Sequence, residues 1–321
     1  MRSSEIVSQK VLVYKKFPQE ALAPLAQRYE LMQCEGRRPR ERFSAAQLAD
    51  VRVMLTAGGL KLPPEMLDDL PGLGAVICYG TGYDGIDLAE LKKRNLALGH
   101  SPGANASSVA DLALTLMLAA TRHTLANDRY VRNGQWAAGE PSPRSSFPAG
   151  MTGQKIGVYG MGVIGRKIAA RCVAFETEVG YFSRTKYDLP YTYWPSLEAL
   201  AEWSDILVVA VRAGDATRHA VNAQVLGRLG ENGTIINIAR GSVIDQAALV
   251  NALQRNVIAG AGLDVYETEP HAPDALTALP NVVLTPHAGG QTAAAHKAMQ
   301  DCVIANLDAF FTGRGLRYPV T

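Results

Sequence analysis

The sequence predicts an α/β protein of two doubly wound parallel-sheet domains, and three observations carry that prediction. Short apolar runs alternate with helical stretches along most of the chain, the pattern of parallel strands covered by helices on both faces. In the second half, Lys155-Ile156-Gly157-Val158-Tyr159-Gly160-Met161-Gly162-Val163-Ile164-Gly165-Arg166 reads as an apolar strand, a turn with three glycines and the start of a helix. The 321 residues are enough to bury two separate cores.

In order, the first domain holds strands at Val11–Tyr14, Val51–Ala57 and Ala75–Tyr79, with helical spacing over Gln19–Tyr29 and Asp87–Arg94. It has no phosphate-binding glycine pattern, so it does something other than hold a nucleotide. Two of its strands end in glycine-rich turns, Thr56-Ala57-Gly58-Gly59 and Gly80-Thr81-Gly82-Tyr83-Asp84. Backbone N–H groups at such strand ends suit a small carboxylate, and plain turn chemistry is the alternative. Ser101-Pro102-Gly103 breaks the alternation and marks the crossing to the second domain. One helical segment is expected over Ser107–Asn133, then a loop rich in Gly, Pro and Ser over Gly134–Gly153. A helix that apolar, followed by such a loop, suits contact with a second subunit; burial within its own domain is the alternative.

From Lys155 onward, strands are expected at 155–160, 179–182, 206–211, 234–238, 258–263 and 282–285, with helices such as Ser196–Trp203 and Asp245–Arg255 between them. Six strands with crossovers complete a dinucleotide-binding domain. A last helix, His296–Phe311, is expected to return to the first domain. That makes 1–102 plus 291–321 a discontinuous substrate domain, and 103–290 the dinucleotide-binding domain.

The glycine turn has a division of labour. Gly160 permits the tight turn, Gly162 lets backbone approach a pyrophosphate, and Gly165 lets the helix pack on the sheet. The free N–H groups and positive dipole end of the helix face the phosphates. At the end of the following strand, enzymes that take NAD carry Asp or Glu to hold the ribose 2′-hydroxyl. This chain has Ser183-Arg184-Thr185-Lys186 there. Two cations and two hydroxyls suit a 2′-phosphate, so NADPH is the expected cofactor; an exposed basic loop of no consequence is the alternative.

Composition closes off other classes. The chain is 47% hydrophobic and 19% charged with a net charge of +2, which gives no reason to expect nucleic acid or an acidic surface as partner. The basic run Arg37-Arg38-Pro39-Arg40-Glu41-Arg42 reads as a solvated loop. Cys34, Cys78, Cys172 and Cys302 lack metal-ligand spacing, so no metal is expected. Cys78 and Cys172 stand in apolar segments and read as buried free thiols of a reducing compartment. The longest apolar run, Leu112–Ala120, is too short to span a bilayer, and the N-terminus lacks a signal-peptide core. A cytoplasmic protein without a membrane partner is expected.

Three polar spots fall at late strand ends: Asn237-Ile238-Ala239-Arg240-Gly241, Gly262-Leu263-Asp264-Val265-Tyr266-Glu267-Thr268-Glu269-Pro270, and Thr285-Pro286-His287-Ala288-Gly289-Gly290. Reducing a 2-oxo acid needs a cation for the carboxylate, a hydride at C2 and an acid for the carbonyl oxygen. Arg240 offers the bidentate contact, His287 the proton, and Glu269 an anionic neighbour that orients the imidazole and favours its charged form.

Together with Gly80-Thr81-Gly82-Tyr83-Asp84 and Pro102-Gly103-Ala104-Asn105, these motifs resemble the D-isomer-specific 2-hydroxyacid dehydrogenases over nearly the whole chain, more weakly before residue 70. The resemblance implies a Rossmann dinucleotide-binding domain inserted in a smaller flavodoxin-like substrate domain. It further implies an active site between the two and a homodimer through the cofactor domain. It implies Arg240, Glu269 and His287 as catalytic residues, Asp264 as a contact of the nicotinamide amide, and Gly58, Gly59, Thr81, Gly82, Arg240 and His287 as substrate contacts. The implied cofactor contacts are Gly160, Gly162, Val163, Ile164, Gly165, Ser183, Arg184, Thr185, Val211, Arg212, Thr217, Ile238, Ala239, Arg240, Asp264, His287, Gly289 and Val109. Ser183-Arg184 resembles the NADPH-dependent glyoxylate/hydroxypyruvate reductase branch, whose reaction carries hydride from NADPH to C2 of a small 2-oxo acid. Two departures stand out: Arg212 where the family often has Pro, a second cation for the 2′-phosphate, and Glu176 where it often has Gly. The alternatives are a bulkier substrate, of aryl-pyruvate or 2-ketogluconate type, and a non-catalytic dinucleotide-sensing protein.

Overall fold

The computed structural model describes residues 9–142 and 150–320, so 143–149 of the expected 134–153 loop lie outside the described residues. The chain divides into two compact units: one runs to Asn105 and resumes at Thr292, and the other is Ala106–Gln291.

The first unit is built on β1 (Lys10–Val13), β2 (Glu30–Gln33), β3 (Val53–Thr56), β4 (Ala75–Cys78) and β5 (Ala97–Gly99), all parallel in the order β2-β1-β3-β4-β5. This is the flavodoxin-like order, with its switch point between β1 and β3. β3 and β4 are buried at every position, as parallel strands covered on both faces must be. Leu22, Leu25 and the Ala293–Phe311 helix, through Met299, Val303 and Leu307, cover one face. Leu48, Met66, Leu67 and Leu91 cover the other. Thr292 caps that last helix, and Arg28 grips its Asp308 with two bonds of 3.0 and 2.8 Å.

The second unit carries β6 (Lys155–Tyr159), β7 (Glu178–Phe182), β8 (Thr192–Tyr193), β9 (Ile206–Val209), β10 (Thr234–Asn237), β11 (Gly260–Leu263) and β12 (Val282–Leu284). All pair in parallel, in the order β12-β11-β10-β9-β6-β7-β8. The order reverses between β6 and β9, where a doubly wound sheet opens a crevice at its strand ends. Helices Ala106–Thr121 and Val163–Val173 cover one face, and Leu197–Trp203, Ala223–Leu229 and Gln246–Gln254 the other.

The fold class is the expected one, and the details correct it. β2, β5 and β8 were not anticipated: β2 is largely exposed, and the other two are three and two residues long. The expected single helix over 107–133 is two, Ala106–Thr121 and Thr124–Arg132. His123 stands between them in the left-handed region, φ +52°, which ends a helix whatever the side-chain spacing. The basic run is not simply solvated, since Arg38 donates twice to the nearly buried Asp69, both bonds 2.9 Å, and Arg42 pairs with Glu35. Among the described residues no helix is long and apolar enough to cross a membrane, and no cluster could hold a metal ion.

Candidate active site

At the end of β6 the chain turns through Gly160, φ +103°, and enters the Val163–Val173 helix with Gly162 at its N-cap. A Cβ on Gly160 would lie 2.7 Å from the Val211 backbone, and one on Gly165 would lie 2.0 Å from the Gly160 carbonyl oxygen. Those two glycines are required by packing. A Cβ on Gly162 would meet nothing within 4 Å, so this side of the turn is open to a ligand. The N–H groups of Gly162 and Val163 donate to no acceptor among the described residues, at the positive end of the helix. A dinucleotide pyrophosphate fits this cradle. Val163 is exposed beside it and Ile164 half-buried.

After β7, the Ser183 hydroxyl donates to the Thr185 carbonyl at 2.6 Å. The exposed Arg184 guanidinium has no hydrogen-bond partner among the described residues. Burial pushes the Tyr159 hydroxyl up, and the charge of Arg184 draws it partly back. After β9 come Val211 and the exposed Arg212, whose carbonyl accepts from the Thr217 hydroxyl at 2.9 Å.

The ends of β10, β11 and β12 bring Arg240, Glu269 and His287 together. The Asn237 side chain closes the first turn, accepting from the Ala239 N–H and donating to the Arg240 carbonyl. Ile238 and Ala239 are buried, and the Arg240 guanidinium donates to the Ala239 carbonyl at 2.7 Å. Glu269 accepts from the Tyr266 N–H at 3.2 Å and from His287 Nδ1 at 2.6 Å. That bond assigns hydrogen to Nδ1 and leaves Nε2 for proton exchange. Burial lifts the Glu269 carboxyl, but the bond and charge of His287, the Tyr266 N–H and the charge of Arg240 outweigh it and hold the group below its usual range. An imidazole so paired beside a guanidinium can hold an anion and deliver a proton.

Asp264 holds the histidine in place. It is 2% exposed and accepts from Thr285 Oγ1, the Ala288 N–H and the Gly289 N–H at 2.7, 2.7 and 2.9 Å. Its carbonyl receives the His287 N–H at 2.9 Å. His287 thereby sits at φ +53°, a conformation a non-glycine residue keeps only where its surroundings impose it. The Ser108 hydroxyl donates to the Gly289 carbonyl at 2.6 Å, and a Cβ on Gly289 would lie 3.3 Å from Val109. Burial, with Asp264 and Glu269 adding to it, pushes the Tyr266 hydroxyl up to about 12, so it stays protonated and donates to the Thr285 carbonyl.

Two features escaped sequence reasoning. A Cβ on Gly241 would lie 1.9 Å from the Tyr266 carbonyl carbon, so the Arg240 and Glu269 loops touch backbone to backbone. His219 Nε2 bonds Glu267 Oε1 at 2.6 Å, with His219 at φ +49° and its N–H on the Ser242 carbonyl. Only the Gly after Arg240 hinted at the first; the second joins residues 48 apart and leaves no local signal.

In the other unit, the two glycine turns lock together: a Cβ on Gly58 would lie 1.7 Å from the Gly82 carbonyl oxygen. The Thr81 hydroxyl lies 2.8 Å from both the Ser101 carbonyl and Asn105 Oδ1. The N–H groups of Gly58, Gly59, Thr81 and Gly82 donate to no acceptor among the described residues, the condition for an anion-binding turn. Burial pushes the Cys34 thiol up to about 11 and those of Cys78 and Cys172 to about 12, which disfavours their thiolates.

Comparison with known proteins bears on this geometry. Residues 114–289 match the model of the D-isomer specific 2-hydroxyacid dehydrogenase NAD binding domain. The chain is 43% identical over 257 residues to the glyoxylate/hydroxypyruvate reductase A of Arabidopsis thaliana, covering 80% of this chain and 81% of that one. It is 40% identical over 271 residues to the 2-ketogluconate reductase of Gluconobacter oxydans, covering 84% and 86%. Among solved structures it resembles the NADPH-dependent glyoxylate/hydroxypyruvate reductase of Sinorhizobium meliloti in complex with NADP and malonate, with TM-score 0.90, 37% identity and coverage of 98% and 97%.

Proposed function

The chain belongs to the D-isomer specific 2-hydroxyacid dehydrogenase family, and from that membership we propose that it reduces a small 2-oxo acid of the glyoxylate/hydroxypyruvate class to the D-2-hydroxy acid, with NADPH as the preferred cofactor. The observation that carries the proposal is the 2.6 Å His287–Glu269 bond within the field of Arg240. Arg240 holds the substrate carboxylate and polarises the carbonyl. His287 gives the Nε2 proton to the carbonyl oxygen as charge builds there. Glu269 stays anionic and stabilises the imidazolium that does so. When bound, the dinucleotide supplies the hydride that C2 receives. Gly160, Gly162 and Gly165 shape the pyrophosphate cradle, while Ser183, Arg184, Thr185 and Arg212 receive the 2′-phosphate. In the five-stranded unit, the N–H groups of Gly58, Gly59, Thr81 and Gly82, unpartnered among the described residues, suit a small carboxylate.

Support for NADPH is the absence of any carboxylate at Ser183-Arg184-Thr185 and the NADP held by the Sinorhizobium relative. The 2-ketogluconate reductase among the relatives favours a second reading, a bulkier 2-oxo acid at the same site. Specificity constants for glyoxylate, hydroxypyruvate, 2-ketogluconate and an aryl-pyruvate, each with NADPH and NADH, decide between them. The highest value is expected for one of the first two acids with NADPH. No turnover of any acid would leave a dinucleotide-binding protein without catalysis.

A homodimer is part of the proposal. The Thr124–Arg132 helix buries none of its residues, and Leu125, Val131 and Trp136 stand exposed on and after it. An apolar set of that kind asks for a cover. Sedimentation as a monomer at micromolar concentration would remove this part.

A further inference from the structure

The segment proposed to receive the 2′-phosphate is pinned at its far end by a buried side chain. Tyr181, in β7, is fully buried, yet its hydroxyl donates to the Tyr187 carbonyl and accepts from the Tyr187 N–H, both at 2.9 Å. One phenol thus closes the loop 183–187 back on the strand that launches it. The Tyr187 ring is in turn covered by the Arg166 guanidinium, 4.5 Å from its centroid. Arg166 belongs to the helix that starts at the glycine turn, and its Nε donates to the Met161 carbonyl at 3.2 Å. The loop is therefore tied to the sheet by Tyr181 and to the pyrophosphate turn by Arg166. Within it, the N–H groups of Arg184, Thr185 and Lys186 donate to no acceptor among the described residues, and the Arg184 guanidinium is equally uncommitted. Donors on a loop held in one shape bind an anion without first paying to order it.

We infer that Tyr181, with Arg166 stacked on Tyr187, is a positioning device for cofactor selection. It presets the 183–187 loop for a 2′-phosphate and so sets the preference for NADPH over NADH. It rests on the NADPH reading above. Tyr181 contacts neither substrate nor nicotinamide in this scheme; it acts through the loop.

The test measures binding as well as turnover. Calorimetry with 2′,5′-ADP and with 5′-AMP gives the worth of the 2′-phosphate as a ratio of dissociation constants, and specificity constants give the NADPH/NADH ratio. Tyr181→Phe is expected to lower both ratios about tenfold, the worth of one misplaced charge-assisted hydrogen bond. Tyr187→Leu, which keeps the Tyr181 bonds but loses the stacked guanidinium, is expected to lower them about threefold. A purely structural role would weaken both ligands alike and leave the ratios where they were; that result overturns the inference. Should Tyr181→Phe fail to fold, Tyr187→Leu alone decides. Arg184→Ala separates the two levels. If it abolishes the preference while the tyrosine variants keep it, only the inference falls. If wild type binds both adenosine phosphates equally and Arg184→Ala changes nothing, the NADPH reading falls and takes the inference with it.

Discussion

Two histidine–glutamate pairs stand on neighbouring loops of the seven-stranded unit, and their local geometry is nearly the same. His287–Glu269 and His219–Glu267 are both bonded at 2.6 Å, and the histidines have φ of +53° and +49°. They differ in which nitrogen the carboxylate takes and in what stands nearby. Glu269 takes Nδ1 and leaves Nε2, the outer nitrogen, while Glu267 takes Nε2 and leaves the nitrogen nearest the main chain. The charge of Arg240 acts on Glu269, and the buried Asp264 builds the turn that carries His287. A histidine bonded to a carboxylate is thus a common structural device. In the proposed reaction His287 is the acid because Nε2 is left free and the charge of Arg240 is at hand for the anion.

The sharpest way to break this contrast is to remove each imidazole in turn. His287→Ala is expected to lower kcat about a thousandfold while the dinucleotide still binds, and His219→Ala by less than about tenfold. Equal losses in steady-state kinetics would erase the distinction. Next in size is the support beneath each pair. Asp264→Ala strands the Ala288 and Gly289 N–H groups and is expected to cost about 3 kcal/mol in urea unfolding, against about 1 kcal/mol for Glu267→Gln.

A smaller effect appears in the pH dependence of stability. Glu269 titrates below its usual range when folded, so its contribution is complete above the ordinary carboxylate pKa and is lost as pH falls through the folded value. The gap in Tm between wild type and Glu269→Gln is therefore expected to be full at pH 6 to 7 and to close below about pH 4. A gap that widened on acidification would contradict the charge assigned to Glu269. The smallest effect tests the backbone. Glu176 also sits at φ +59°, but its side chain makes no hydrogen bond among the described residues. Where no partner holds the side chain, glycine relieves the conformation, and Glu176→Gly is expected to raise stability by about 0.5 kcal/mol by thermal or urea melts. A loss of 1 kcal/mol or more would show that the side chain does work at that corner.

Much of this was legible in the residues, for physical reasons. Strands buried on both faces announce themselves as unbroken apolar runs, as in Ile206–Val209 and Ala75–Cys78. Edge strands do not: Glu30–Gln33 keeps one buried residue in four. The glycine turn was readable because part of its crowding is local, Gly165 against Gly160 five residues away, whereas the crowding of Gly160 by Val211 is not. That Arg240, Glu269 and His287 gather at strand ends was readable from their places after apolar runs. The long-range polar contacts were not. Asp264 reaches the turn at Ala288, His219 reaches Glu267, and Arg38 reaches Asp69 only once distant segments are folded side by side. The break at His123 depends on one backbone torsion, which apolar spacing does not encode.

Gly241 has no functional group, yet its α-hydrogen is all that separates the guanidinium-bearing loop from the peptide of Tyr266. Position 241 is therefore closed to every larger residue unless the two loops move apart. A variant there would part the loops that carry Arg240 and Glu269, the groups proposed to react, without touching either side chain.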